Sequence, residues 1–187
     1  MIRLNTADLR RAAPTLQAGQ RILLSGTVYT ARDAAHKRLM SLLDEGAPLP
    51  FPITDGAIYY CGSTPAPEGL PIGACGPTTS SRMDPYTPRL YDLGLCATIG
   101  KGERDTATCD AIVRNRGVYL CAIGGAGALV AQHVTAATVI AFDDLGCEAI
   151  KRLEIEDLPL FVAEDCHGGS IFPNKAEYSF GSKNILI

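Results

Sequence analysis

Short apolar, β-rich runs that alternate with helical patterns constrain this 187-residue chain most strongly. Residues 21–29 (RILLSGTVY), 57–61 (AIYYC), 96–99 (CATI) and 118–123 (VYLCAI) read as buried strands. They are short, and Gly, Pro or Asn punctuates the chain between them. Residues 31–45 read as a helix, with apolar positions at 35, 39, 42 and 43 and Gly46 as the stop. Thr30 and Asp33 fit a capping box with Thr30 as N-cap. Residues 7–13 fit a short opening helix capped by Thr6, and 86–95 another, limited at its start by Pro88. Residues 104–116 look helical, and GGAGALVAQHV (124–134) looks like a helix start. Residues 135–142, 149–155 and 160–163 are three further strands, and the last twenty residues are turn-rich. This order predicts one α/β domain over 1–187, either mixed α/β or three-layered, rather than a bundle or a sandwich.

With 47% apolar and 20% charged residues the chain is globular in type. A formal net charge of −3 gives no reason to expect nucleic acid or an anionic membrane as partner. No apolar run is long enough to span a membrane. The start, MIRLNTADLRR, has no apolar signal core, so a cytoplasmic location is expected. The seven cysteines (61, 75, 96, 109, 121, 147 and 166) include no CxxC pair and read as reduced thiols in apolar surroundings. Their spacing supports no iron–sulfur site within the chain, and three histidines make a His-rich metal site improbable.

The chemistry concentrates in GPTTSSRMD (76–84). Gly-Pro forces a turn, four hydroxyl residues follow (Thr78 to Ser81), and Arg82 closes the run. A turn before a helix would use one or two hydroxyls as caps. Four beside an arginine suit an anion-binding loop, with short donors, exposed N–H groups and a guanidinium fork for a carboxylate. Arg32 falls in the first turn of the helix predicted over 31–45, where a cation is unfavourable unless an anion binds there too. A surface ion pair with Asp33 or Glu45 is the plainer alternative. His36, one turn on, reads as a packing or helix-surface residue. Lys101 stands between Gly100 and Gly102, which allow close backbone approach to a ligand. GGAGA lacks the lysine and hydroxyl of a phosphate loop, and Cys166-His167 reads as a structural loop. These residues amount to a small-anion site and name no reaction.

Five segments in order, LLSGTVYTARDAAHKRL, YYCGSTPAPEG, GPTTSSRMD, the Gly100-Lys101-Gly102 turn and LEIEDLPLFVAEDCHG, resemble the C-terminal domain of class I, iron–sulfur-dependent fumarases. In two-subunit enzymes that domain is a separate β subunit, and the L(+)-tartrate dehydratase β subunit is similar. The resemblance implies a swivelling β/β/α three-layer fold with a mixed sheet, an α-subunit partner, and reversible hydration of fumarate to (S)-malate. It implies a [4Fe-4S] cluster carried by the α subunit, with no metal ligand in this chain. It implies that Arg32 and Arg82 hold the substrate carboxylates, that Lys101 also binds substrate, and that Thr78 transfers a proton. Many relatives have Ala-Gly where this chain has Ser80-Ser81, so those two hydroxyls are assigned backbone-shaping roles. A tartrate dehydratase β subunit and a non-catalytic dicarboxylate-binding scaffold are the alternatives.

Overall fold

A computed structural model of the chain describes residues 1–123 and 125–172. Five strands run parallel to one another: β1 (Ile2–Asn5), β2 (Arg21–Thr30), β3 (Ala57–Tyr59), β4 (Ala97–Gly100) and β5 (Val118–Cys121). Two more, β6 (Val134–Ala141) and β7 (Ile150–Glu164), are antiparallel. The seven form one mixed sheet in the order β1-β2-β3-β4-β5-β7-β6. Because β7 also pairs with β2, the ladder from β2 through β3, β4, β5 and β7 returns to β2. The helices are α1 (Leu9–Ala12), α2 (Asp33–Asp44), α3 (Thr87–Asp92), α4 (Thr106–Arg114) and α5 (Gly127–Ala131).

The two-residue period of the strands sorts their side chains into two cores. From Ala57 to Cys61, the odd positions (Ala57, Tyr59, Cys61) join one cluster and the even positions (Ile58, Tyr60) the other. On β5, Val118 and Leu120 join the first cluster and Tyr119 the second. The first cluster lies between the parallel strands and β6–β7, with Leu24, Val28, Leu153, Ile155, Leu158, Leu160 and Val162. The second is covered by Ala35 and Leu39 of α2, Leu90 and Tyr91 of α3, and Ala111 and Ile112 of α4. Leu24, Val28 and Leu153 are fully buried; such side chains contribute about 1.5–3 kcal/mol each.

The alternation is as the sequence predicts, and several boundaries differ for local reasons. Thr30 is not a helix cap. It ends β2, where its Oγ1 donates to the Ala149 carbonyl (3.3 Å) and accepts from Lys151 N (2.9 Å). The N-cap of α2 is Arg32, in extended backbone and without a side-chain capping bond, so Arg32 precedes the first turn. Thr6 does not cap the opening helix either: Asn5 accepts from Ala7 N, and Thr6 Oγ1 accepts from Thr27 N. That opening segment is one turn of α-helix between two short 3-10 turns, preceded by an unpredicted edge strand, β1. The helix predicted over 104–116 begins at Thr106, capped by Asp105, which leaves Arg104 outside it. The two strands predicted over 149–163 are one fifteen-residue strand. Asp157 takes a left-handed conformation inside β7, and its N–H is satisfied by Ser25 Oγ (2.9 Å), so the strand bulges without ending. Most of the turn-rich C-terminal stretch lies outside the described residues.

Candidate active site

The C-terminal ends of β2, β3 and β4 lie side by side; β2 and β4 run directly into the Arg32 and Lys101 segments, and Tyr60, the residue after β3, holds Thr78 N of the 76–84 loop. Ligands bind at the C-terminal ends of parallel strands in both open and closed α/β folds. β2 runs into Ala31 and Arg32, and Ala31 N donates to the Tyr59 carbonyl at 3.1 Å. Beyond β3, Tyr60 continues the pattern: its N–H donates to the Ile99 carbonyl (2.8 Å) and its carbonyl accepts from Thr78 N (2.7 Å). β4 ends at Gly100, so Lys101 emerges beside Thr78. Lys101 N donates to the Thr78 carbonyl (3.3 Å), and Ser80 N donates to the Lys101 carbonyl (2.8 Å). The GPTTSSRMD loop is therefore laid against the strand ends as a short parallel bridge, Thr79 to Lys101, before a 3-10 turn over Ser80–Met83.

Arg32 and Arg82 meet at one carboxylate. Arg82 Nε donates to Asp33 Oδ1 at 2.9 Å, and Arg32 Nε lies 3.8 Å from Asp33 Oδ2. Glu148 Oε1 is 3.7 Å from Arg32 Nη2. Two of these separations exceed hydrogen-bond length. Among the described residues, Arg32 Nε and Asp33 Oδ2 are both buried without a hydrogen-bond partner. Arg32 is about one-fifth exposed and Arg82 about half. Neither the Lys101 ammonium nor the Thr78 hydroxyl bonds to another side chain or to backbone among the described residues. The edge thus presents three cations with unused donor capacity and one hydroxyl. The predicted pairing of Arg32 with Asp33 exists only as this long contact, and Glu148 of the β6–β7 connection takes the place proposed for Glu45.

His36 lies beneath the arginine pair, fully buried, as the packing reading of this residue expects. Its Nδ1 sits 2.9 Å from the Arg32 carbonyl, which fixes the proton on Nδ1 because a carbonyl only accepts. The ring packs edge-on to Tyr60 and stacks on Tyr86. Burial pushes its pKa down to about 4, the Arg32 carbonyl partly opposes that, and the Arg104 charge adds to it. His36 is therefore neutral at pH 7.

A buried polar ring behind the loop has no counterpart in the sequence reading. The Arg104 side chain is fully buried. Its Nε donates to Asp84 Oδ1 at 2.6 Å, Nη1 to Thr98 Oγ1 at 3.1 Å, and Nη2 to Thr87 Oγ1 at 3.0 Å and the Tyr60 hydroxyl at 3.3 Å. Its guanidinium lies over the rings of Tyr60 and Tyr119, 5.2 and 4.8 Å from their centroids. Asp84 Oδ2 accepts from Asp105 N, so both carboxylate oxygens are used. The Tyr119 hydroxyl is 2.8 Å from both Ser80 Oγ and the Gly102 carbonyl. Ser80 is fully buried and Ser81 exposed, so the two serines do different work. A single polar residue at the start of a predicted helix gave no sign of this; all but one of its side-chain partners lie more than ten residues away.

Cys61, Cys75, Cys96 and Cys166 are buried, and burial pushes the Cys96 and Cys109 thiols up to about 11. They pack as small apolar side chains. Among the described residues no three His, Cys, Asp or Glu side chains converge as metal ligands. His167 Nε2 contacts the Pro14 carbonyl and Cys166 packs on Ala13, so that loop is structural, as expected. No described helix is long and apolar enough to cross a membrane.

The geometry defines a mixed α/β domain whose strand-end edge gathers Arg32, Arg82 and Lys101. Comparison with known proteins makes this specific. The chain belongs to the fumarase C-terminus family, whose model matches residues 1–175. It is 37% identical over 166 residues to fumarate hydratase 2 of Leishmania major, covering 88% of this chain and 29% of that protein. It is 40% identical over 154 residues to the anaerobic class I fumarate hydratase of Escherichia coli, covering 81% of this chain and 28% of that enzyme. A putative L(+)-tartrate dehydratase subunit beta of Methanocaldococcus jannaschii is 34% identical over 178 residues, 92% of this chain and 91% of that subunit. The chain thus spans under a third of the fumarate hydratases, and nearly all of the tartrate dehydratase subunit.

Proposed function

We propose that this chain is the β subunit of a two-subunit class I fumarate hydratase, a hydro-lyase that interconverts fumarate and (S)-malate. The observation that carries the reading is the meeting of Arg32 and Arg82 at a single carboxylate, beside a Thr78–Lys101 backbone pair, at the ends of three adjacent parallel strands. In this reading the chain adopts the swivelling β/β/α three-layer architecture, supported by two hydrophobic clusters on opposite faces of the parallel strands.

Arg32 and Arg82 bind the substrate carboxylates, with Asp33 holding the two guanidinium groups in register. Lys101 supplies a third cation. In the dehydration direction, the proton leaving the carbon next to a carboxylate passes to Thr78 Oγ1, and negative charge builds on that carboxylate. Fixed cations aimed there stabilise the transition state more than the ground state. The electron pair then forms the C=C bond as the hydroxyl leaves the neighbouring carbon, a departure that the partner's cluster would assist as a Lewis acid. Thr78 returns the proton in the hydration direction. An alcohol is a poor base at neutral pH, so the cations around Thr78 are what makes its alkoxide accessible. Among the described residues no three His, Cys, Asp or Glu side chains converge as metal ligands. We assign the [4Fe-4S] cluster to the α subunit, and the two subunits share one active site in the cytoplasm.

The length match to the tartrate dehydratase subunit favours one second reading, the same chemistry on a substrate with one more hydroxyl. The test is to purify the chain alone and with a co-expressed α partner under anaerobic conditions, and to assay fumarate, malate and L(+)-tartrate. The proposal expects a colourless, inactive isolated chain and a complex that prefers fumarate and malate. Preference for tartrate selects the second reading. Iron–sulfur absorbance in the isolated chain contradicts the division of labour.

A further inference from the structure

The proposed Thr78 and Lys101 sit on different segments, one before the 3-10 turn and one after β4. Their relative position depends on what ties those segments together. Two backbone bonds do so directly, Lys101 N to the Thr78 carbonyl and Ser80 N to the Lys101 carbonyl. The first of these is long, at 3.3 Å. A third connection comes from a side chain. The Tyr119 hydroxyl, rooted in β5, bridges Ser80 Oγ and the Gly102 carbonyl at 2.8 Å each. A phenol has one proton, and the Gly102 carbonyl can only accept. Tyr119 therefore donates to Gly102, and Ser80 donates to Tyr119. The bridge joins the residue two after Thr78 to the residue after Lys101. Behind it, the guanidinium of Arg104 packs on the Tyr119 ring and ties to Asp84 at the far end of the loop. Thr87 Oγ1, which accepts from Arg104, also holds the Met83 carbonyl at 2.8 Å.

We propose that Tyr119, backed by the Arg104–Asp84 pair, is a positioning residue for the proposed reaction, fixing Thr78 against Lys101 without touching substrate. This rests on the reading of Thr78 and Lys101 given above. A small misplacement of a reacting group costs one to two powers of ten in rate, about 100-fold per Å. Loss of the bridge therefore reaches kcat more than KM, because Arg32 and Arg82 keep their contacts with Asp33 when it is gone.

Tyr119→Phe deletes one oxygen and keeps the ring. In the full chain, hydrogen exchange at the Ser80 and Lys101 amides is expected to speed up at least tenfold, with β2 and β7 amides unchanged. In the assembled complex, kcat is expected to fall about tenfold with KM changed less than threefold. Unchanged exchange at those two amides overturns the proposal even if kcat falls, because the loss then has another origin. Loosened amides with kcat within twofold of wild type overturn it as well. If Tyr119→Phe does not fold, Ser80→Ala removes the other side of the same bridge and is read in the same way. A wild-type complex without hydration activity refutes the proposed function instead, and the exchange measurement then decides whether Tyr119 holds the loop.

Discussion

Replacing His36 with Phe should flatten the acid sensitivity of this protein. An unfolded histidine titrates near pH 6.5, and His36 in the fold is held down to about 4. Burial is the main cause; the Arg104 charge adds to it, and the Arg32 carbonyl and Asp33 partly oppose it. Above pH 6.5 the imidazole is neutral in both states and pH has no leverage through it. Below 6.5 the unfolded chain takes up a proton that the folded chain refuses, so stability is lost as pH falls toward 4. Between pH 8 and pH 5 this amounts to about 2 kcal/mol from His36 alone. Urea unfolding at the two pH values, for wild type and His36→Phe, isolates the effect, because every other carboxylate and thiol contributes equally to both proteins. The variant forfeits the Nδ1 bond to the Arg32 carbonyl and is expected to be less stable at pH 8. Its further loss on going to pH 5 should be about 2 kcal/mol smaller than that of wild type. Equal losses in the two proteins would refute the reasoning, since His36 would then titrate alike folded and unfolded.

Three other outcomes follow from the same contacts. Gly62→Ala places a methyl 2.9 Å from Arg32 Nη1, 3.0 Å from its Cδ and 3.2 Å from the Cys147 carbonyl oxygen. The flexible guanidinium arm gives way, so stability should change by under about 1 kcal/mol, while KM in the assembled complex rises severalfold. Gly100→Ala drives a methyl into Ser80 Oγ and places it 2.9 Å from the Tyr60 ring; thermal unfolding should show a loss of about 1–3 kcal/mol from this overpacking. Arg104→Met leaves Asp84 buried and uncompensated, and should cost about 3–5 kcal/mol by urea titration, much of it recovered in the double variant with Asp84→Leu.

Periodicity made the strands legible, because the alternating burial from Ala57 to Cys61 and through β5 is written into consecutive residues. It missed β1, whose IRLN is largely exposed and gains its partner only when it pairs with β2. It broke β7 at Glu156-Asp157, because a left-handed aspartate reads locally as a turn and the Ser25 hydroxyl that rescues the strand comes from more than a hundred residues away. Capping failed at Thr30 and Thr6 for a related reason. Each hydroxyl had a better partner across the fold than along the helix. Arg32 and Lys101 stood out because each lies within two residues of a strand end, and Thr78 and Arg82 because they share the Gly-Pro hydroxyl run, so local motifs marked them. The groups that orient them did not: Asp33 read as a capping residue or a surface partner of Arg32, Tyr60 and Tyr119 as parts of buried strands, and Arg104 as part of a helix. Their roles arise from contacts between distant segments, which no local pattern records.

Fumarate hydration by the complex of this chain with the proposed α partner, compared with complexes carrying Thr78→Ala or Arg82→Ala, bears most directly on the proposed site. The account predicts that Thr78→Ala lowers kcat at least 100-fold with the complex intact, about what loss of a proton-transfer group costs, and that Arg82→Ala chiefly raises KM. Activity equal to wild type in either variant complex contradicts it.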